Sequence, residues 1–303
     1  MYNLVIGIPT YKRPLMLRKL ILSIFSLDIN QDLIKSVTIA LVDNDIERTG
    51  EPVAQELMTQ CPSAFDFHYY SFPKKGLTNV RNEILDKALS FNPDYIAFVD
   101  DDEYVAKYWL NELMTTMVKN NADIVQGANF SVFEKKPAHY LARWFKFENF
   151  ENNEKLDFVE TGNSMIRSKF LSDNNLKFDS RFNQTGGEDT YFGVQAIKNG
   201  AMIFWATNAA VYETIPRSRS TVQWLVKRWY RGATTYTYIL KLEKEYSKLA
   251  KKIIVSFVYL AIGALGLVLL PFPVKHKYWG LFKICEGLGG FAGFFNIRYK
   301  EYH

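Results

Sequence analysis

Residues 95–103 read YIAFVDDDE, five apolar or aromatic side chains running straight into four carboxylic acids. A short unbroken apolar run of this kind predicts a strand buried on both faces, as in a parallel sheet. In open parallel sheets the ligand lies beyond the carboxyl ends of the strands, which is where these acids stand. Toward the N-terminus, further strands are expected near 3–8 (NLVIGI), 37–42 (VTIALV) and 67–71, followed by helical patterns near 14–27, 50–60 and 77–90. A fourth helix is expected near 104–120, directly after the acids. The alternation gives an α/β fold, a mostly parallel sheet flanked by helices. All four strand ends are polar: Thr10-Tyr11-Lys12-Arg13, Asp43-Asn44-Asp45, Lys74-Lys75-Gly76 and Asp100-Asp101-Asp102-Glu103. No G-x-G-x-x-G follows the first strand and no P-loop motif occurs, which argues against both of those nucleotide-binding folds.

The acids at 100–103 have two readings. Carboxylates at a strand end can cap the helix that follows. Alternatively, a hard divalent cation relieves the mutual repulsion of three consecutive aspartates, and the spacing of Asp100 and Asp102 lets both face one site. After Val125 the pattern loosens, with strands expected at 124–129, 158–166 and 202–206 and a helix at 189–199. Glu188-Asp189, behind Gly186-Gly187, carries the same ambiguity between helix cap and chemistry.

Charge is concentrated toward the C-terminus. The chain carries 37 Lys and Arg against 32 Asp and Glu, a net +5, yet residues 217–252 alone hold ten basic and two acidic side chains. Helical pattern from about 221 runs into IIVSFVYLAIGALGLVLL (253–270), uncharged and long enough as a helix to cross a bilayer core. A second apolar stretch, 279–295, contains Lys283, Glu286 and a Gly289-xxx-Gly293 spacing suited to close helix packing. With Lys275, Lys277, Arg298 and Lys300 on both sides, it suggests a shallow hairpin that returns inward. The opening MYNLVIGIPTYKRP reads as a first strand and not as a signal peptide, so the catalytic part is expected on the cytoplasmic face of the inner or plasma membrane. Cys61 and Cys285 lie in unlike contexts, and a bridge is not expected. The four histidines show no metal-ligand spacing, and no nucleic-acid-binding motif accompanies the aromatic residues.

Taken together, IGIPTYKRP (6–14), LVDND (41–45), KKGLTNVRNEIL (74–85), the Asp-x-Asp of FVDDDE, ETGNSMIR (160–167) and TGGEDTYF (185–192) resemble, in order, a family 2 glycosyltransferase of the GT-A fold. The segment YETIPRSRSTVQWLVKRWYRG (212–232) and the basic-then-apolar tail further resemble bacterial exopolysaccharide glucosyltransferases of the succinoglycan type. The resemblance implies a catalytic domain over 1–235, with a nucleotide-binding half (1–103) and an acceptor half (104–235), and a membrane-associating tail over 236–303. It implies Thr10 and Asp43 beside the nucleobase, Arg81 steadying the nucleotide, and Lys75 on the phosphate side. Asp100 and Asp101 would contact the nucleotide-sugar, and Asp102 would hold Mg²⁺ or Mn²⁺. Gly162 and Asn163 would line the donor sugar, and Arg228 would approach a diphosphate. Asp189 would be the general base of an inverting transfer, with Glu188 orienting the acceptor.

Two departures matter. Glu213 stands where many relatives place a metal- or phosphate-binding His. Leu225 stands where the Q-x-x-R-W motif of processive synthases needs Gln, which favours transfer of one sugar from a UDP-sugar to a saccharide acceptor, free or lipid-linked. A polyprenyl-phosphate glycosyl synthase, or a catalytically silent GT-A scaffold, would share most of these features.

Overall fold

A computed structural model describes residues 1–145, 150–272, 274 and 276–299; the flanking Lys275 and Lys300 lie outside them. The first three β/α units and the fourth strand form as expected: β1 (Tyr2–Thr10), α1 (Pro14–Phe25), β2 (Ile34–Asp43), α2 (Glu51–Met58), β3 (Phe65–Ser71), α3 (Leu77–Leu89) and β4 (Tyr95–Phe98). A short β5 (Glu103–Val105) follows, then α4 (Trp109–Lys119), β6 (Ile124–Phe133) and α5 (His139–Ala142). The chain continues through β7 (Ser164–Arg167), α6 (Ser168–Asp173), α7 (Glu188–Lys198) and β8 (Ile203–Ile215) to three long helices: α8 (Val222–Leu242), α9 (Tyr246–Gly266) and α10 (Trp279–Phe294). One eight-stranded sheet runs in the order β3-β2-β1-β4-β7-β6-β8-β5, parallel from β3 to β4 and antiparallel where β7 joins β4 and β6 and where β5 joins β8.

Strand periodicity decides which helix covers which face. Leu4, Ile6 and Ile8 of β1 are buried with Leu17, Leu20 and Ile21 of α1 and Trp109 and Leu113 of α4. On the other face, Val5 is buried with Val80 and Ile84 of α3 and Phe192 of α7. Gly7 points the same way as Val5 and lets α3 lie close, since a Cβ there would overlap the Ile84 Cγ2.

Three expectations need correction. The helix expected at 104–120 starts only at Trp109, because Glu103 and Val105 are buried and pair with Glu213 and Val211 of β8. The acids at 100–102 therefore form a turn between two strands, closed by the Glu103 N–H donating to the Asp100 carbonyl at 3.1 Å, and cap no helix. The strand expected from 158 begins at Ser164, after Asn163 adopts a φ of 58°. The single helix expected to run past Lys252 breaks after Leu242, where Lys244 takes a φ of 57°.

The chain divides into two compact units, one holding 1–130, 147–183 and 188–213, the other 131–146, 184–187 and 214–303. In the second, α10 turns back along α9: Gly280 meets Gly263 and Gly266, and Gly287 meets the Ser256 carbonyl. Gly289 and Gly293 face α8 at the carbonyls of Tyr230 and Thr234, so the G-x-x-x-G spacing serves close packing between helices. The stretch Tyr246–Leu269 is long and apolar enough to cross a membrane, and Ile254, Phe257 and Leu265 on it are exposed.

Replacing Gly7 with Ala should destabilise the first unit by about 1–3 kcal/mol, because the β-branched Ile84 has little room to yield. Urea unfolding followed by tryptophan fluorescence measures this; an unchanged midpoint would show that α3 can move away from β1 at no cost.

Candidate active site

Arg81, in the first turns of α3, is the buried centre of the acid cluster. Its Nη2 donates to both oxygens of Asp100 at 3.2 and 3.3 Å, and its Nε stands 3.3 Å from Glu188 Oε1. Nη1 donates to Thr161 Oγ1, and the guanidinium lies over the Phe178 ring at 5.8 Å. One cation thus joins the end of β4, the start of α7 and the turn before β7. Beyond it, the Asp100 N–H donates to Glu103 Oε2 at 2.9 Å, and Asn129 Nδ2 donates to Glu103 Oε1 at 2.9 Å. Gly162 closes this side: a Cβ there would lie 3.3 Å from Glu103 Oε1 and 3.4 Å from Asp100 Oδ2.

The acids outnumber the cation, and their proton affinities rise accordingly. Burial pushes Glu188 up to about 8, with the charge of Asp189 adding and Arg81 opposing. Burial likewise raises Asp100 against the pull of Arg81, and raises Glu103 well above the usual carboxylate range with Asp100 adding. Asp189 is half-buried in the first turn of α7, where its Oδ1 accepts from the Thr190 N–H at 2.6 Å. Gly186 and Gly187, at φ of 70° and 86°, make the turn that precedes this helix.

A second set of bonds ties strand ends together. Arg13 Nη1 donates to Asp101 Oδ1 and to Asp102 Oδ2, both at 2.8 Å. Asp101 Oδ2 also accepts from Thr10 Oγ1 at 2.9 Å and from the Tyr11 N–H at 3.2 Å. Thr10 and Asp101 therefore lock β1 to β4, and both Asp101 oxygens are engaged within the protein. Burial pushes Asp101 up to about 6, opposed chiefly by Arg13.

Two more of the expected ligands make hydrogen bonds within the protein. Asp43 is fully buried, its Oδ1 accepting from the Asp45 N–H and its Oδ2 from the Gly50 N–H and the Tyr69 hydroxyl, so it shapes the 43–50 loop. Asn163 is also fully buried: its Nδ2 donates to the carbonyls of Ala128 and Ala209, and its Oδ1 accepts from Trp109 Nε1 at 2.6 Å. It fixes the left-handed turn that presents Thr161 and Gly162. Lys75 is exposed, on a loop held by Asn44, which donates to the carbonyls of Phe72 and Lys74. Arg228 belongs to the second unit, exposed on α8 with its guanidinium 5.2 Å from the Trp224 ring.

Sequence reasoning missed the supports of this site. Asn183 accepts from the Thr78 N–H and hydroxyl and from the Asn79 N–H, pinning the start of α3 and with it Arg81. A lone Asn in a loop carries no periodic signal. Arg13 and Glu103 stood at strand ends, and position alone did not show that they brace neighbouring acids.

Among the described residues no cluster of three or more His, Cys, Asp or Glu is arranged to hold a metal. The donor chemistry still fits a hard cation held by one or two carboxylates and completed by substrate oxygens, because burial raises the proton affinity of Asp100 and Glu103 and a cation beside them would offset that cost. Asp102 and Asp100 are the residues that would hold it.

The family model for glycosyl transferase family 2 matches residues 5–174, and that for glycosyl transferase family group 2 matches residues 95–285. The succinoglycan biosynthesis protein ExoM of Rhizobium meliloti (strain 1021) is 29% identical over 244 residues, 78% of this chain and 74% of that protein. Among solved structures, S. aureus TarS matches with a TM-score of 0.55 and 16% identity over 95% of this chain, which spans only 54% of that TarS chain. The TarS 1–349 complex with UDP-GlcNAc matches with a TM-score of 0.56 and 16% identity, covering 99% of this chain and 93% of that one. The TarS likeness establishes the GT-A type of fold.

The Glu188 carboxyl sits near 8 in the folded protein against 4.5 ordinarily, so its contribution to stability is fully present below 4.5 and is lost as pH rises toward 8. Glu188→Gln should remove that loss, at most about 1.4 kcal/mol per pH unit. Melting temperatures of both proteins from about pH 5 to pH 9 test the assignment; a difference that is flat or of opposite slope would show that Glu188 is ionised throughout.

Proposed function

The chain belongs to glycosyltransferase family 2, and from that membership we propose that it moves a single sugar, with inversion, from a UDP-sugar to a saccharide acceptor carried on a lipid, in the synthesis of a bacterial surface polysaccharide. The observation that carries this reading is the Arg81 clasp, which holds the acids after β4 and the acid pair opening α7 in one cluster. Asp189 accepts the proton of the acceptor hydroxyl while its oxygen attacks C1 of the donor sugar. The new C1–O bond forms as the bond from C1 to the diphosphate breaks, and UDP leaves with the electron pair on the face opposite the attack. Arg81 and Asp100 keep the donor side fixed, and Glu188, carrying its proton near neutral pH, offers an acceptor hydroxyl a hydrogen-bond donor. A divalent cation at Asp102, Mg²⁺ or Mn²⁺, would screen the diphosphate and improve UDP as a leaving group.

The donor class is supported by TarS, solved with UDP and with UDP-GlcNAc, and the pathway class by ExoM. Transfer of one sugar is supported by Leu225, which is buried with Leu141, Phe145, Ile215 and Phe282, so that the position a processive synthase gives to Gln is core here. The exposed apolar face of α9 and the cations at its start support attachment to the cytoplasmic face of the membrane.

Asp189→Asn should lower transfer by about 10²-fold or more while leaving UDP binding nearly intact. Radiolabelled UDP-sugar and a lipid-linked acceptor give the rate, and calorimetry gives the binding; near-normal turnover would remove Asp189 as the base. Asp102→Ala should abolish the gain in UDP affinity that Mn²⁺ provides, and an unchanged Mn²⁺ dependence would move the metal elsewhere. Faster transfer to bare polyprenyl phosphate than to a lipid-linked saccharide would replace the acceptor assignment.

A further inference from the structure

The second unit contains a group of charges that the transfer reaction does not use. Lys283 and Glu286 of α10 form an ion pair at 2.6 Å, with side chains only 22% and 17% exposed. Lys283 Nζ lies 4.1 Å from the centre of the Tyr259 ring of α9. Lys252, about two turns earlier on the same face of α9, lies 5.6 Å from the same ring and 6.0 Å from the Tyr236 ring of α8. Its stem passes over Gly290 of α10, where a Cβ would lie 3.5 Å from Lys252 Cε. All three helices therefore meet around two ammonium groups and one carboxylate.

The charge count is the informative part. One carboxylate serves two ammonium groups: Glu286 pairs with Lys283 and attracts Lys252 from farther off, and the other neighbours of the Lys252 ammonium are the Tyr236 and Tyr259 faces. An ammonium among apolar helices is costly unless an anion accompanies it. Lys252 and Tyr259 are seven residues apart, about 10 Å along a helix, so the group extends from the basic start of α9 into its apolar run. Lys248 and Lys251, exposed in the same turns, show which end of α9 lies at the charged surface. An anion at this height that also tolerates the apolar surroundings is a lipid headgroup.

We propose that Lys252 and Lys283, with Tyr259 between them, bind the phosphate of an anionic membrane lipid. The site rests on the reading of α9 as a membrane helix. A phosphodiester supplies two strong acceptor oxygens to two ammonium groups. Bound lipid would hold α8, α9 and α10 together at the point where their charges meet.

The full chain, purified in detergent, is titrated with mixed micelles of phosphatidylcholine, phosphatidylglycerol or oleate, and the rise in melting temperature gives the half-saturating lipid fraction. Oleate supplies negative charge without phosphate. Phosphatidylglycerol should stabilise at a lower fraction than oleate, and Lys252→Met should raise the phosphatidylglycerol requirement about tenfold, beyond the roughly fivefold expected for an exposed surface lysine. Lys248→Met and Lys251→Met should affect phosphatidylglycerol and oleate alike, and Lys252→Arg should retain the preference. Lys252→Met keeps the Lys283–Glu286 pair, so its fold is expected to survive, and its melting temperature in phosphatidylcholine should match the parent. Equal response to oleate, or a Lys252→Met protein that responds as the parent does, overturns the site. Full competition by millimolar inorganic phosphate would place the ligand in solution and overturn the lipid assignment. Failure of the protein to float with phosphatidylcholine vesicles would instead overturn the membrane reading of α9, and the lipid site with it.

Discussion

A single buried guanidinium organises the first unit. Arg81 leaves water only because Asp100, Glu188 and Thr161 replace its hydration, and each of these comes from a different part of the chain. Removing any one partner leaves a charge stranded in low dielectric, so the turn after β4, the start of α7 and the turn before β7 must be formed together. The clasp does not neutralise the cluster. Asp100, Glu103 and Glu188 all hold their protons more tightly than free carboxyls do, with burial the largest cause in each. A site in that condition gains from any ligand set that adds positive charge, and loses if a diphosphate arrives without a cation.

The parallel part of the sheet was legible because its strands are buried on both faces and therefore read as unbroken apolar runs. The acids of YIAFVDDDE were legible as a site but not as a turn. A helix start and a three-residue strand both accept Glu-Tyr-Val, and only pairing with Val211 and Glu213, more than 100 residues away, separates them. Thr10, Asp43, Asp101 and Asn163 show a second limit. An Asp or Asn that holds backbone and one that holds a ligand have the same side chain, and the local sequence does not say which way it points. For Asp43 and Asn163, full burial and three protein partners each show the structural bonds that the local sequence leaves unseen. The break between α8 and α9 was illegible for another reason: it contains neither Gly nor Pro, and Lys244 takes a left-handed conformation that a Lys adopts only when its surroundings stabilise it.

These inward-turned residues are part of how the site works. Asp101 receives Thr10, Tyr11 and Arg13, so β1 and β4 are joined at their carboxyl ends. Arg13 also reaches Asp102. The third acid is thereby held by the same guanidinium that secures the second, and the turn presents Asp100 and Asp102 without relying on loop rigidity. Carboxylates that act on a ligand need positions fixed to a fraction of an ångström, and here the bonds between strand ends supply that constraint.

In the tail, small residues and charged residues require each other. A Cβ at Gly290 would overlap Ser256 Oγ and touch the Lys252 stem, and one at Gly287 would meet the Ser256 carbonyl. The close approach of α10 to α9 therefore brings Lys283 and Glu286 against Tyr259, within the reach of Lys252. Larger residues at 287 and 290 would move α10 off α9 and part the Lys283–Glu286 pair from Tyr259 and Lys252. The glycines look like packing devices when read alone. Read with the charges, they are the condition under which an apolar hairpin can carry an ion pair and a second cation.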